Sequence, residues 1–393
     1  MRLLSFKVNG LRLYDHDECA MSLYATDAVR DPGFTHPLPG AARSIRTNTV
    51  IGIAGINTSG KTTALRVIEF VIAVASGRSL SAMTNDLTPL YDIMSPTVHV
   101  QAILEQDGRF HRLDSTLDND PASRTPLRFI RETLSIHHGK LSKIMLGKAL
   151  TDPDPLSWNI EATRNIGRPG LGGELTDDAK RYLPSDRSIC GAYVADTDIN
   201  AELMPISPTL AISQSQPVIG LFDPSIERLS HDKDGIHLKF RSETESRDVS
   251  LQSLANMVSS GTLRGGALFS RAIETLRSGG YLLVDELENS INKQLVFVIM
   301  DLFASPVTNP NGATLVFSTH YPELLDHFTR KDSIWFAVRD GEGFGLRGLG
   351  TVLTRADQKK SVSFFANTIR GTAPSYETIK ALTDYVEETV NAL

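Results

Sequence analysis

A mixed-sheet α/β fold is predicted by three observations. Short β-branched or leucine-rich runs at Val50–Ala54, Tyr281–Val284 and 314–317 read as strands buried on both faces. Stretches at 61–75 and 291–303, free of Pro and Gly, carry apolar residues in the way of packed helices. The 393-residue chain is 41% hydrophobic and 22% charged, which supplies a core and excludes wholesale disorder.

In chain order, Leu4, Phe6 and Val8 alternate with Ser5 and Lys7, predicting a strand with Leu4, Phe6 and Val8 on one face. The opening has neither the long apolar block nor the small-residue site of a signal peptide. A Pro- and Gly-bearing loop follows, then the first buried strand and its helix from Lys61. Val98, Val100, Ala102 and Leu104 alternate ahead of Asp107-Gly108, which predicts a hairpin over 98–113. From 151 to 216 prolines and glycines replace sustained patterns, so this stretch reads as an irregular insertion or lid, with a short helix near 177–182. Regular structure returns with an alternating strand at 236–240, a helix at 262–277, and the strand–helix–strand unit from Tyr281 to Phe317. Ile379, Leu382, Val386 and Val390 share one face of a closing helix from about Tyr376. The expected division is 1–114, an insertion at 115–216, and 217–393.

No apolar run reaches the roughly 18 residues of a membrane span, so no membrane partner is expected. A net charge of −6 gives no global drive toward nucleic acid, leaving only a local basic groove. Cys19 and Cys190 stand far apart, which argues against a disulfide framework or zinc site and makes a reducing cytoplasm the default.

Gly55-Ile56-Asn57-Thr58-Ser59-Gly60-Lys61-Thr62, followed by Thr63, fits the phosphate-binding loop pattern between a strand and a helix. Its glycines let successive N–H groups converge on phosphate oxygens, and the helix adds its positive N-terminal end. Lys61 is placed to reach the β- and γ-phosphates, and the Thr62 hydroxyl to ligate Mg²⁺. Asp285 and Glu286 end an apolar strand, where unpaired carboxylates are costly without a cation or partner. Asp285 then holds Mg²⁺, directly or through water, and Glu286 polarises the attacking water. The competing reading is a solvated strand end running into an acidic helix start at Glu288. His320 ends another apolar strand and suits a hydrogen bond to the γ-phosphate. Ser259-Ser260-Gly261 precedes a helix and reads either as a second anion site or as an ordinary N-cap. His137-His138 with Lys140, Lys143 and Lys148 reads as a solvated basic face, and Asp114, Asp118 and Asp120 as scattered loop acids.

The order of these motifs resembles an ABC-type ATPase head of the branch shared by SMC and RecF proteins. Leu4-Ser5-Phe6-Lys7-Val8-Asn9-Gly10, Glu286-Leu287-Glu288-Asn289-Ser290, 318–325, 359–361 and 371–374 resemble the AAA/OLD-like ATP-binding proteins of prokaryotic antiphage and abortive-infection systems. The resemblance spans roughly 1–80 and 217–393, with nothing specific over 115–215. It implies a P-loop NTPase with an ABC-head-like sheet, surrounding helices and a lid-like insertion. It also implies ATP and Mg²⁺ as cofactors, with Lys61, Glu286 and His320 as catalytic residues. Ser259, Ser260 and Gly261 would contact the γ-phosphate of ATP held by a second head. The implied role is slow ATP hydrolysis in a homodimer or higher oligomer that senses infection and controls a separate effector, such as a nuclease. The alternative is a RecF- or SMC-like DNA-repair ATPase that binds DNA directly. A self-contained nuclease is not expected, because little sequence follows Lys331. Departures from the pattern are the Ser-Ser-Gly-Thr signature, a glutamine loop that the sequence does not place, Gln101 being one candidate, and the lack of a proline in the helix after the acidic strand, where Lys293-Gln294 stands.

Overall fold

The computed structural model describes residues 1–29, 32–39, 45–123, 125–139, 141–151, 158–165, 183–193, 216–289, 291–340, 343–352, 359–367, 371–372 and 376–391. The strands in chain order are β1 (Arg2–Leu11), β2 (Glu18–Ser22), β3 (Thr35–Pro37), β4 (Arg46–Asn48), β5 (Val50–Ala54), β6 (Met94–Gln106), β7 (Arg109–Asn119), β8 (Leu127–His137) and β9 (Asn159–Asn165). They continue with β10 (Ile226–Asp232), β11 (Gly235–Phe240), β12 (Arg247–Val249), β13 (Tyr281–Val284), β14 (Thr314–Thr319), β15 (Ile334–Asp340) and β16 (Gly343–Gly348).

Two large sheets organise the molecule. One is antiparallel, in the order β2-β1-β6-β7-β8-β9, and the other runs β13-β14-β5-β15-β16. In the second, β13, β14, β5 and β15 are parallel and only β16 runs against them. Parallel strands need crossovers, and the intervening helices, Lys61–Ser76 and Lys293–Ala304 among them, supply them. The Lys61–Ser76 helix packs in the larger core with residues of both sheets, which is why its apolar residues extend around nearly every face. A second core covers the other face of the parallel sheet with the helices Ser260–Ser278 and Lys293–Ala304. β10, β11 and β12 form a separate small sheet with its own apolar cluster.

Several expectations differ from the structure in physically readable ways. A bulge in β1 sets Leu3 opposite Leu104 and Ser5 opposite Ile103. The extra residue, Leu4, therefore joins a different apolar cluster from Phe6 and Val8, instead of sharing their face. The boundary expected at 114/115 falls inside β7, which is hydrogen-bonded to β6 and β8 along its length. Parts of the 151–216 stretch are built firmly into the fold. Glu132 on β8 pairs with Arg164 on β9, both side chains fully buried. The same carboxylate accepts from Ser188 Oγ at 2.7 Å, Ile189 N–H at 3.1 Å and Ser115 Oγ at 3.1 Å. The short helix expected at 177–182 lies outside the described residues. The closing helix runs Tyr376–Asn391, but its apolar stripe, Ile379, Leu382, Val386 and Val390, is exposed rather than packed. Cys19 and Cys190 are both buried, free thiols. No helix among the described residues is long and apolar enough to cross a membrane.

Candidate active site

The phosphate loop leaves the C-terminal end of β5 and enters the Lys61–Ser76 helix through Gly60, whose φ of +92° suits glycine. Gly55 is required by space: a Cβ there would lie 2.3 Å from Ser59 Oγ and 2.6 Å from the Ala337 carbonyl. Ser59 is 1% exposed, and among the described residues its hydroxyl has no hydrogen-bond partner. A buried orphan hydroxyl inside an N–H-rich loop is what a phosphate oxygen would satisfy, so the loop fits a nucleotide phosphate.

The parallel order β13-β14-β5 brings three strand ends together. Thr62 Oγ1 donates to Asp285 Oδ2 at 2.7 Å, across 223 positions of sequence. The other carboxylate oxygen of Asp285 accepts from the Ser318 hydroxyl, and Ser318 Oγ accepts from Glu286 N–H at 2.8 Å. Hard oxygen donors already this close match the few protein ligands that Mg²⁺ takes alongside phosphate and water. The carboxylates at the end of β13 thus lie within a network spanning three strands. Glu288 belongs to a turn, not a helix start, since the next helix begins at Lys293. Its Oε1 accepts from the His320 backbone N–H at 2.7 Å.

Lys61 Nζ donates to the carbonyls of Gly55 and Ile56, both at 3.0 Å, and stands 3.3 Å from His320 Nδ1. An ammonium can only donate, so Nδ1 accepts and the neutral imidazole carries its proton on Nε2. That nitrogen lies 3.1 Å from Glu286 Oε1 and donates to it. Lys61, His320 and Glu286 therefore form one relay. Burial lowers the Lys61 pKa, while Asp285, Glu286 and Glu288 pull it back up. Glu286 holds a left-handed backbone, φ +50°, a conformation that costs a non-glycine residue roughly 1–3 kcal/mol and that clusters at functional sites.

A cleft of about 300 Å³ opens over these groups, lined by Asn57, Ser59, Gly60, Lys61, Thr62, Thr63, Glu286 and His320 among others. Ser259, Ser260 and Gly261 do not line it. Ser259 caps the Ser260–Ser278 helix, accepting from Thr262 N–H at 3.0 Å, and Ser259 and Ser260 are exposed. Gln101 lies on β6, bonded to Asp114 at 2.6 Å, and is likewise absent from the cleft lining. Asp118 pairs with Arg128, and among the described residues no three His, Cys or acidic residues form a metal-sized cluster. Sequence reasoning missed Ser318, whose signal was a hydroxyl beside the end of an apolar strand. It also missed Arg339 and Phe344 in the cleft wall, carried there by β15 and β16.

The family described as "AAA domain, putative AbiEii toxin, Type IV TA system" matches residues 145–326. That span holds Ser259–Gly261, Asp285, Glu286 and His320, and it begins inside the stretch the sequence resemblance left uncovered. No curated protein matches the chain. Among solved structures, the SMC head domain from Thermotoga maritima is similar, with a TM-score of 0.41 and 11% identity over 88% of this chain and 99% of that one. Residues 145–326 are thus similar to an AAA family, and the phosphate loop, which lies outside that span, is seated on a strand of the parallel sheet.

Proposed function

We propose that the chain binds ATP with Mg²⁺ in this cleft and hydrolyses it slowly, as the switch of a sensor that controls a separate effector, such as a nuclease, in antiphage defence. The observation that carries the nucleotide reading is the Thr62–Asp285–Ser318 network beside Lys61, which gathers a cation-binding carboxylate and a phosphate-binding ammonium at one sheet edge. Lys61 exchanges its bonds to the Gly55 and Ile56 carbonyls for phosphate oxygens, with Gly55, Asn57, Ser59, Gly60 and Thr63 shaping the cradle. Thr62 and Asp285 are the residues that would hold Mg²⁺, which when bound offsets the charge of the β- and γ-phosphates. Glu286 accepts the proton of the attacking water as its oxygen bonds to the γ-phosphorus and the bond to the ADP oxygen breaks. His320 orients Glu286 through Nε2 and reports loss of the γ-phosphate through Nδ1 and Lys61.

Ser259, Ser260 and Gly261 act on the ATP of a second head in a head-to-head dimer. The exposure of Ser259 and Ser260 at a helix N-terminus, outside the lining of the chain's own cleft, supports this reading. The description of the matched family, a toxin of a Type IV TA system, supports a setting in which the ATPase works with a partner. The test of nucleotide binding is Lys61→Ala, measured by equilibrium titration with Mg-ATP. Loss of binding in a folded variant is expected, and unchanged affinity would show that the loop is not the phosphate site.

A further inference from the structure

The cleft has a side that the phosphate chemistry does not use. Asp285, Glu286 and His320 follow β13 and β14, on one flank of the loop strand β5. β15 and β16 lie on the opposite flank and contribute Arg339 and Phe344 to the cleft wall. A nucleotide with its terminal phosphate at the acids and its middle phosphate in the loop must send its nucleoside toward β15 and β16.

What stands there suits a planar, electron-rich ring. Phe344 packs on the loop so closely that a Cβ at Gly60 would lie 3.0 Å from the phenyl ring. The Tyr14 ring meets it edge-on at 6.0 Å, and Phe344 N–H donates to the Leu13 carbonyl at 2.7 Å. The ring is thus held rigidly between the loop and the β1–β2 turn, yet it is only half-buried. Arg339, an exposed side chain, sets its guanidinium 5.7 Å from the ring centroid, within cation–π range. A guanidinium and a phenyl face both stack on nucleobases.

We propose that Phe344 and Arg339 form the nucleobase subsite, stacking the base of the bound nucleoside triphosphate on the far side of the loop from the acids. This rests on the nucleotide reading above and adds to it the residues that make the ligand a nucleotide rather than a bare polyphosphate.

The test compares Mg-ATP with Mg-tripolyphosphate, which has the phosphates and no base, binding to the full chain. Phe344→Leu keeps apolar bulk against Gly60 and Tyr14 but removes the aromatic face. It should weaken ATP binding by roughly 5- to 150-fold, the range for loss of one base–aromatic stack, and leave tripolyphosphate within about twofold. Phe344→Trp should restore ATP affinity. Arg339→Met, on an exposed side chain with little bearing on folding, should show the same selectivity for ATP. Parallel weakening of both ligands would mean that the ring only props the loop, and unchanged ATP affinity would mean that the base lies elsewhere. Either result overturns the subsite. A wild-type chain that binds neither ligand would overturn the phosphate site itself, and the subsite with it.

Discussion

Glu286→Gln separates chemistry from binding, because the geometry around this residue survives the change. Glutamine has nearly the same shape, so it can keep the left-handed backbone at φ +50° and offer its Oε1 to His320 Nε2, 3.1 Å away. The Asp285–Thr62 and Asp285–Ser318 bonds do not involve the altered group. What disappears is basicity. General-base catalysis contributes on the order of 10²- to 10⁴-fold, or roughly 2.7–5.4 kcal/mol of barrier, so turnover should fall by that factor. Mg-ATP affinity should stay within a fewfold of wild type, and the ATP-bound dimer should accumulate on sizing. Phosphate release under single-turnover conditions, paired with equilibrium ATP binding, reads both quantities. Undiminished hydrolysis would refute the assignment and direct attention to Glu288, whose Oε2 is buried and has no partner among the described residues.

Three further outcomes are expected. Ser259→Arg should abolish hydrolysis while leaving ATP binding intact, and mixing it with Lys61→Ala should restore activity through the one composite site that retains both motifs; a dimer detected by neither sizing nor crosslinking under Mg-ATP would end the two-head scheme. Glu132→Ala should lower unfolding free energy by about 3–5 kcal/mol, because it leaves the fully buried Arg164 without its carboxylate, and urea denaturation would contradict this by showing an unchanged midpoint. His36, desolvated and facing Arg2 and Arg46, has its pKa pushed down to about 4 from an ordinary value of 6.5. The unfolded chain therefore binds a proton across that window that the folded chain refuses, so stability should fall as pH drops from about 6.5 to 4. His36→Gln should flatten that dependence, and an unaltered pH profile of the denaturation midpoint would dismiss His36 as its source.

Local pattern made much of this molecule legible from sequence. Uninterrupted apolar runs identified β5, β13 and β14, because strands covered on both faces need no alternation. Glycine spacing identified the loop, because backbone N–H groups can converge only where the chain turns without side-chain hindrance. Helix positions were legible to within a residue or two at Lys61–Ser76, Ser260–Ser278 and Lys293–Ala304. A register bulge at Leu4 leaves no mark in composition, and one extra residue was enough to turn that side chain to another core. Nor does periodicity say that an acid on β8 must meet an arginine on β9 inside a stretch rich in proline and glycine. Strand order decided the rest. Only by placing β14 between β13 and β5 does the fold bring Ser318 and His320 to Asp285, Glu286 and Lys61. Only by adding β15 and β16 on the other flank does it set Phe344 against Gly60. Motifs are local because backbone conformation is local; a site needs partners separated by hundreds of residues, and those are chosen by how the sheet assembles.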